Sequence, residues 1–107
     1  MPTPFAMVMT TCRGKPEAEM IATRLVEDRL SACVQMFSIE SVYRWEGVVE
    51  HAQEWMLICK IKALDYAEVE AAIRALHSYS NPEIIEVGIE TGAQAYLSWI
   101  ASATGGG

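Results

Sequence analysis

The chain has 107 residues, of which 51% are hydrophobic and 21% are charged, and its formal net charge at pH 7 is −6. This length fits a single domain over residues 1–107, and the composition is that of a globular protein rather than a disordered one. The negative charge argues against binding to nucleic acids or to anionic membranes, because both require a basic protein surface. The segment from Met1 to Phe5 lacks the basic and apolar regions of a signal peptide, so we expect a cytoplasmic protein.

The first part of the chain predicts a strand, a helix and a second, longer strand. Residues 5–12 are apolar on both faces, which is typical of a central strand. Pro16 can occupy the first turn of a helix, which we expect to end near Arg29. Residues 32–43 read as a long strand whose apolar side chains change parity after Met36, and this change predicts a β-bulge there.

The second part predicts a hairpin partner, a helix, a fourth strand and a final helix. Residues 45–47 read as the tip of a long hairpin, and residues 48–62 as its second strand. Residues 84–89 alternate as a strand, and a last short helix follows Gly92.

The second helix has the sequence signals of a well-capped N-terminus. Asp65 can accept hydrogen bonds from the first turn, with Glu68 as the reciprocal partner of a capping box. Leu64 and Val69 have the spacing of a hydrophobic staple.

The predicted order βαββαβ, followed by a C-terminal helix, is that of an α+β, ferredoxin-like fold with a long central hairpin. Helices cover only one face of such a sheet. Because the first and third strands are apolar on both sides, the other face needs a cover, and a symmetric oligomer would supply it.

Several short motifs, in order along nearly the whole chain, resemble the CutA (divalent-cation tolerance) family. They are Ala32-Cys33-Val34, Ser41-Val42-Tyr43-Arg44-Trp45-Glu46-Gly47, His77 with Tyr79, Pro82-Glu83-Ile84 and Tyr96-Leu97-Ser98-Trp99-Ile100. The resemblance implies a homotrimer similar in shape to nitrogen-regulatory PII proteins, with hairpin strands pairing across subunits. It also implies an association with tolerance to copper and other divalent cations, and no enzymatic reaction.

The candidate metal ligands are His77, Cys33 and Cys12, since copper favours imidazole nitrogen and thiolate sulfur. Each also has a structural interpretation, His77 as a helix cap and the cysteines as small buried hydrophobes. Their spacing offers no local chelate, so folding would have to assemble the site. The family commonly reads His-Pro-Tyr-Glu where this chain has Ser78 and Ser80, which removes one carboxylate. No cofactor is firmly indicated, and copper or another divalent cation is the candidate ligand.

Two other functions fit the residues. The chain could be a structural or partner-binding trimer with no direct metal role. It could also be an acylphosphatase-like hydrolase, in which the turn at Arg13 holds an anion at a helix N-terminus.

Two side-chain sets remain open between ligand binding and packing. The aromatic set, Tyr43, Trp45, Tyr79, Tyr96 and Trp99, fits either a cleft between subunits or a packed interface. Glu46, Glu50 and Glu54 share one parity along the hairpin, which favours a solvated or salt-bridged edge over a carboxylate pair.

Overall fold

The computed structural model describes residues 3–105 and leaves Met1 and Pro2 of the N-terminal segment outside the description. Its elements follow the predicted order. They are β1 (Phe5–Cys12), α1 (Lys15–Glu27), β2 (Cys33–Trp45), β3 (Val48–Lys62), α2 (Tyr66–Leu76), β4 (Ile84–Gly88) and α3 (Gln94–Ala103).

The four strands form one sheet in the order β2-β3-β1-β4, with every neighbouring pair antiparallel. The helical connections carry the chain over one face, so that β1 and β3 lie at the centre and β2 and β4 at the edges. This arrangement confirms the ferredoxin-like prediction.

The hydrophobic core lies between the sheet and the helices α1 and α2. Alternate residues of β1 and β3 point into it, and the apolar stripes of the two helices meet them. The fully buried members include Val8, Ile21, Leu25, Leu57, Cys59, Ile61, Val69 and Ile73.

The opposite face of the sheet, which we call the open face, is only partly covered. α3 packs against β3 at one end of it, where the Lys60 ammonium lies 5.8 Å from the ring centroid of Tyr96. Elsewhere large apolar side chains reach the surface, with Phe37 47%, Ile85 47% and Val87 41% exposed. The prediction that strands apolar on both sides would leave an uncovered surface is confirmed for the single chain.

The β2–β3 hairpin is long and makes the molecule elongated, with principal extents of 44 × 28 × 22 Å. Its two-residue turn is Glu46-Gly47, and both residues have positive φ, +50° and +81°. This left-handed geometry matches the twist of the flanking strands. The predicted hairpin tip is therefore confirmed.

The predicted bulge near Met36 is wrong. The β2–β3 register runs without interruption from Cys33 opposite Lys60 to Trp45 opposite Val48. The change of parity has another cause, because β2 presents apolar side chains to both faces. Met36 packs against the core, whereas Phe37 belongs to the open face.

The predicted cap of α2 is also wrong. A 3-10 turn over Ala63–Asp65 leads directly into the helix, so Asp65 has a near-helical backbone and its side chain makes no capping hydrogen bond. Leu64 is 94% exposed and forms no staple with Val69.

No helix among residues 3–105 combines the length and the apolar character needed to cross a membrane.

Candidate functional site

The fold brings two of the three predicted metal ligands together. Cys12 is the last residue of β1, and His77 follows the last residue of α2. The Cys12 Sγ and His77 Nε2 atoms lie 3.9 Å apart. β1 and α2 are distant in sequence, so only the folded chain reveals this pair.

Both ring nitrogens of His77 already have backbone partners. Nε2 lies 2.7 Å from the carbonyl oxygen of Thr11, and the Tyr79 N–H donates to Nδ1 at 3.1 Å. A carbonyl oxygen can only accept, so Nε2 carries the proton and the imidazole is the neutral tautomer. His77 thus ties the end of β1 to the loop after α2.

The Cys12 thiol is held in its protonated form, so a metal ion would have to displace that proton. Its side chain is fully buried. Burial first, and then the carboxylates of Glu17 and Glu54, raises the pKa of Cys12 to about 12. The thiolate is the form that binds metals, and it is scarcely populated at neutral pH.

Cys33 lies far from Cys12 along the sheet and on the opposite face of it. It lies opposite Lys60 of β3, whereas Cys12 lies opposite Trp55 of that strand. Five residues of strand separate those positions, or about 17 Å at ~3.4 Å per residue. Across residues 3–105, no group of three or more His, Cys, Asp or Glu side chains is placed to hold a metal ion. Within residues 3–105 of one protomer, the three candidate ligands therefore do not come together at one place.

The principal cavity near His77 is a cleft of about 650 Å³, which we call the Glu54 cleft. Its walls come from the end of β1, the hairpin and the loop between α2 and β4. They consist of Thr11, Ser41, Val42, Tyr43, Trp45, Glu54, Tyr79, Ser80, Asn81 and Glu83. Tyr96 and Trp99 of the aromatic set lie elsewhere, on α3, with their ring centroids 5.6 Å apart.

Glu54 is the buried charge of this cleft. Its residue is only 7% exposed, and the Tyr79 hydroxyl donates to its Oε2 at 2.8 Å. Burial, and then the hydrogen bond to Glu54, raises the pKa of Tyr79 well above its usual range. The prediction of a solvated edge is therefore wrong for Glu54, although Glu46 and Glu50 are exposed.

The loop that carries Tyr79 is fixed from both sides. The His77 and Tyr79 rings stack at a tilt, with centroids 4.8 Å apart. The Ser78 N–H donates to Glu17 Oε2 of α1 at 2.7 Å. Burial alone would raise the pKa of Glu17, but the hydrogen bonds from Ser78 and the charge of Arg13 outweigh it and hold that pKa below its usual value.

The Arg13 turn has a different environment from the cleft. Arg13 is exposed between β1 and α1. Lys15, the other cation of the turn, lies 5.5 Å from the ring centroid of Trp55. The nearby Glu17 carboxylate opposes the capture of an anion here.

Comparison with known proteins identifies relatives over nearly the whole chain. A family model described as CutA1 divalent ion tolerance protein matches residues 6–103. The divalent-cation tolerance protein CutA of Archaeoglobus fulgidus is 42% identical over 93 residues, covering 87% of this chain and 91% of that protein. Its namesake in Thermus thermophilus is 37% identical over 100 residues, covering 92% and 97%.

Solved structures agree with the sequence relatives. CutA1 from Shewanella sp. SIB1 superposes with a TM-score of 0.94 at 33% identity, covering 98% of this chain and 99% of that one. The Archaeoglobus fulgidus structure, described as a periplasmic divalent cation tolerance protein, gives a TM-score of 0.91 at 39% identity, with 92% and 97% covered. The chain therefore belongs to the CutA1 divalent ion tolerance protein family.

Proposed function

We propose that the chain acts as a homotrimer that contributes to divalent-cation tolerance by binding a small ligand, without catalysing a reaction. The observation that carries the proposal is the open face of the sheet, on which large apolar side chains are left at the surface beside a ligand-sized cleft. Monomeric proteins rarely expose a contiguous apolar surface of this kind.

The sheet edges support a cyclic assembly. β2 and β4 are the two edge strands and present unpaired backbone groups. Pairing of β2 in one copy with β4 in the next would join unlike edges, and a heterologous contact of that type forms a ring when the rotation between copies closes after three copies. The same contact would bring open faces together and remove Phe37, Ile85 and Val87 from water.

A charge placed on the open face tests this interface. We expect Phe37→Glu to lower the mass in solution towards that of one chain, because the new carboxylate would be buried between subunits without a partner. Leu64→Glu is the matched control, since Leu64 is 94% exposed in the turn before α2. Sedimentation velocity measures both variants. An unchanged mass for Phe37→Glu, with the fold intact by circular dichroism, would rule out this face as the interface.

Copper binding is a second candidate, favoured by the 3.9 Å separation of Cys12 Sγ and His77 Nε2. It ranks below the first because Cys12 would have to lose its proton and His77 would have to release the Thr11 carbonyl. Anaerobic titration of the reduced protein with Cu(I) separates the two candidates, with His77→Ala and Cys33→Ser as variants. We expect the same isotherm for all three proteins, and a saturable site lost only in His77→Ala would favour copper.

The hydrolase alternative has a direct assay. An acylphosphate substrate should decay at its spontaneous rate in the presence of the protein. Enzymatic decay that is lost in Arg13→Ala would establish a reaction at the Arg13 turn and contradict the non-catalytic proposal.

We propose the cytoplasm as the compartment. All three cysteines, which lie within residues 3–105, are free thiols, and this fits a reducing environment. The Archaeoglobus fulgidus relative is described as periplasmic, so fractionation of cells with compartment markers is the appropriate test. Recovery with the periplasmic marker would overturn the proposal.

A further inference from the structure

The Glu54 cleft has the dimensions of a small-molecule site. Its volume is about 650 Å³, and such sites commonly measure roughly 300–1,000 Å³. It is open on the hairpin side, where Tyr43 is 42% exposed and Trp45 47% exposed. In a single chain a ligand could therefore enter without unfolding any element, and in the proposed trimer the neighbouring copy would form a further wall of the cleft.

The charges of the cleft are all of one sign. Two carboxylates, Glu54 and Glu83, line the cleft. Among residues 3–105, no Lys or Arg side chain lines it. The side-chain ion pairs of the described residues are Arg24–Asp28 and Arg74–Glu70, and neither includes Glu54. Glu54 is thus a residue that is only 7% exposed, and the identified partner of its Oε2, the Tyr79 hydroxyl, is uncharged.

A buried charge without a counterion is costly, and a ligand of opposite sign would offset that cost. This requirement selects a cation and disfavours phosphates, carboxylates and nucleotides as ligands of this cleft.

The aromatic walls distinguish an organic cation from a metal ion. Tyr43, Trp45 and Tyr79 line the cleft, and aromatic rings attract ammonium and guanidinium groups while packing against their apolar parts. Hard divalent ions instead require several oxygen ligands, about six or more for calcium. The cleft has only two carboxylates, Glu54 and Glu83, and among the described residues no group of three or more His, Cys, Asp or Glu side chains is placed to hold a metal ion.

We propose that the Glu54 cleft binds a small organic cation, a protonated amine or a quaternary ammonium compound, with its charged group at Glu54 and its apolar part against the aromatic side chains. This inference rests on the proposed ligand-binding role of the cleft and specifies the chemical class of the ligand.

Calorimetric titration with a charged ligand and its neutral isostere tests the proposal. Choline is the probe, and 3,3-dimethyl-1-butanol, which has the same shape without the charge, is its control. Putrescine and agmatine extend the panel to primary amines and a guanidinium. We expect at least one of the three cations to bind saturably. Choline should bind about tenfold or more tightly than the alcohol, because the alcohol lacks the positive charge that attracts the aromatic faces.

Matched variants locate the site. Glu54→Gln should weaken cation binding by about tenfold, whereas Glu68→Gln, which removes an exposed carboxylate of α2, should leave it unchanged. Tyr79→Phe keeps the ring and the Glu54 carboxylate, so binding should persist. If Glu54→Gln does not fold, Trp45→Leu serves in its place, because that side chain is exposed and its loss should also weaken binding.

The outcomes distinguish this proposal from the one on which it rests. No saturable binding of any of the three cations to a protein of trimeric mass would overturn the organic-cation proposal and leave the assembly standing. Equal binding of choline and the alcohol, or equal binding by Glu54→Gln and the parent, would also overturn it. A monomeric mass would instead contradict the proposed function itself.

Discussion

At the scale of single residues, His77 is a structural link as well as a metal candidate. Its ring joins the Thr11 carbonyl to the Tyr79 N–H, and both of these residues line the Glu54 cleft. The histidine therefore positions the cleft walls without itself facing a ligand.

Removal of this link should destabilise the fold. We expect His77→Ala to lower the free energy of unfolding by about 1–3 kcal/mol, because two backbone groups lose their partners. Urea denaturation at fixed protein concentration measures the change. His51→Ala is the control, since His51 is exposed on the hairpin and its loss should cost less than about 0.5 kcal/mol. Equal effects of the two substitutions would contradict the assigned role of His77.

Glu17 should make stability depend on pH. Its pKa in the folded protein lies below the reference value of 4.5, so its contribution is complete above that value and is lost as pH falls through the folded-state pKa. The melting temperature of Glu17→Gln should therefore lie below that of the parent at pH 7, and the gap should narrow by pH 3. Glu19→Gln, an exposed neighbour in α1, should show no such narrowing. A difference in melting temperature between Glu17→Gln and the parent that stays constant with pH would exclude a charged Glu17–Ser78 contact.

The buried thiols should resist alkylation. Burial is the main cause that raises the pKa of both Cys12 and Cys59 to about 12. We expect iodoacetamide at pH 8 to leave both unmodified in the native protein and to modify both in urea, as read by peptide mass spectrometry. Rapid native modification of Cys12 would show that its thiolate is accessible and would strengthen the copper candidate.

Glu54 illustrates what the sequence could not supply at this scale. Strand alternation correctly placed Glu54 on the same face of β3 as Glu50, whereas Glu46 lies in the hairpin turn. Burial of Glu54 depends on the loop after α2, which brings Tyr79 over the strand from 25 residues away in sequence. Only tertiary packing separates the buried carboxylate from the two exposed ones. The proximity of Cys12 and His77 was hidden for the same reason.

At the scale of elements, the sequence predicted the existence and bounds of the strands better than the β-bulge and the helix cap. The periodicity of residues 5–12 and 48–62 gave two strands with correct bounds, because central strands are marked by apolar runs. The bulge in β2 was wrong because an edge strand with apolar residues on both faces mimics a change of parity. The prediction that Asp65 caps α2 was wrong because a 3-10 turn precedes the helix. A capping residue requires an extended backbone, which Asp65 does not have.

The hairpin turn gives a test at this scale. Gly47 has φ of +81°, and a Cβ there would meet no atom within 4 Å, so Gly47→Ala should cost only backbone strain. We expect a loss of about 1–2 kcal/mol in the free energy of unfolding. Glu46→Asn should raise stability, since asparagine tolerates positive φ better than glutamate. A neutral Gly47→Ala would contradict the left-handed turn.

At the scale of the whole molecule, the apolar open face is the feature that sequence and structure both emphasise. The sequence predicted it from strands apolar on both sides, and the structure leaves Phe37, Ile85 and Val87 at the surface of one chain. The cover that we propose is an arrangement of several chains, which neither the periodicity of the sequence nor the structure of a single protomer specifies. The proposed trimer accounts for the open face, the two free edges and the projecting hairpin together.

The mass of the unmodified protein in solution tests this account most directly. Light scattering during gel filtration, over a tenfold range of protein concentration, should give three times the chain mass of 11.8 kDa. A constant mass of 11.8 kDa would mean that the open face remains exposed to water, and it would contradict the proposed assembly.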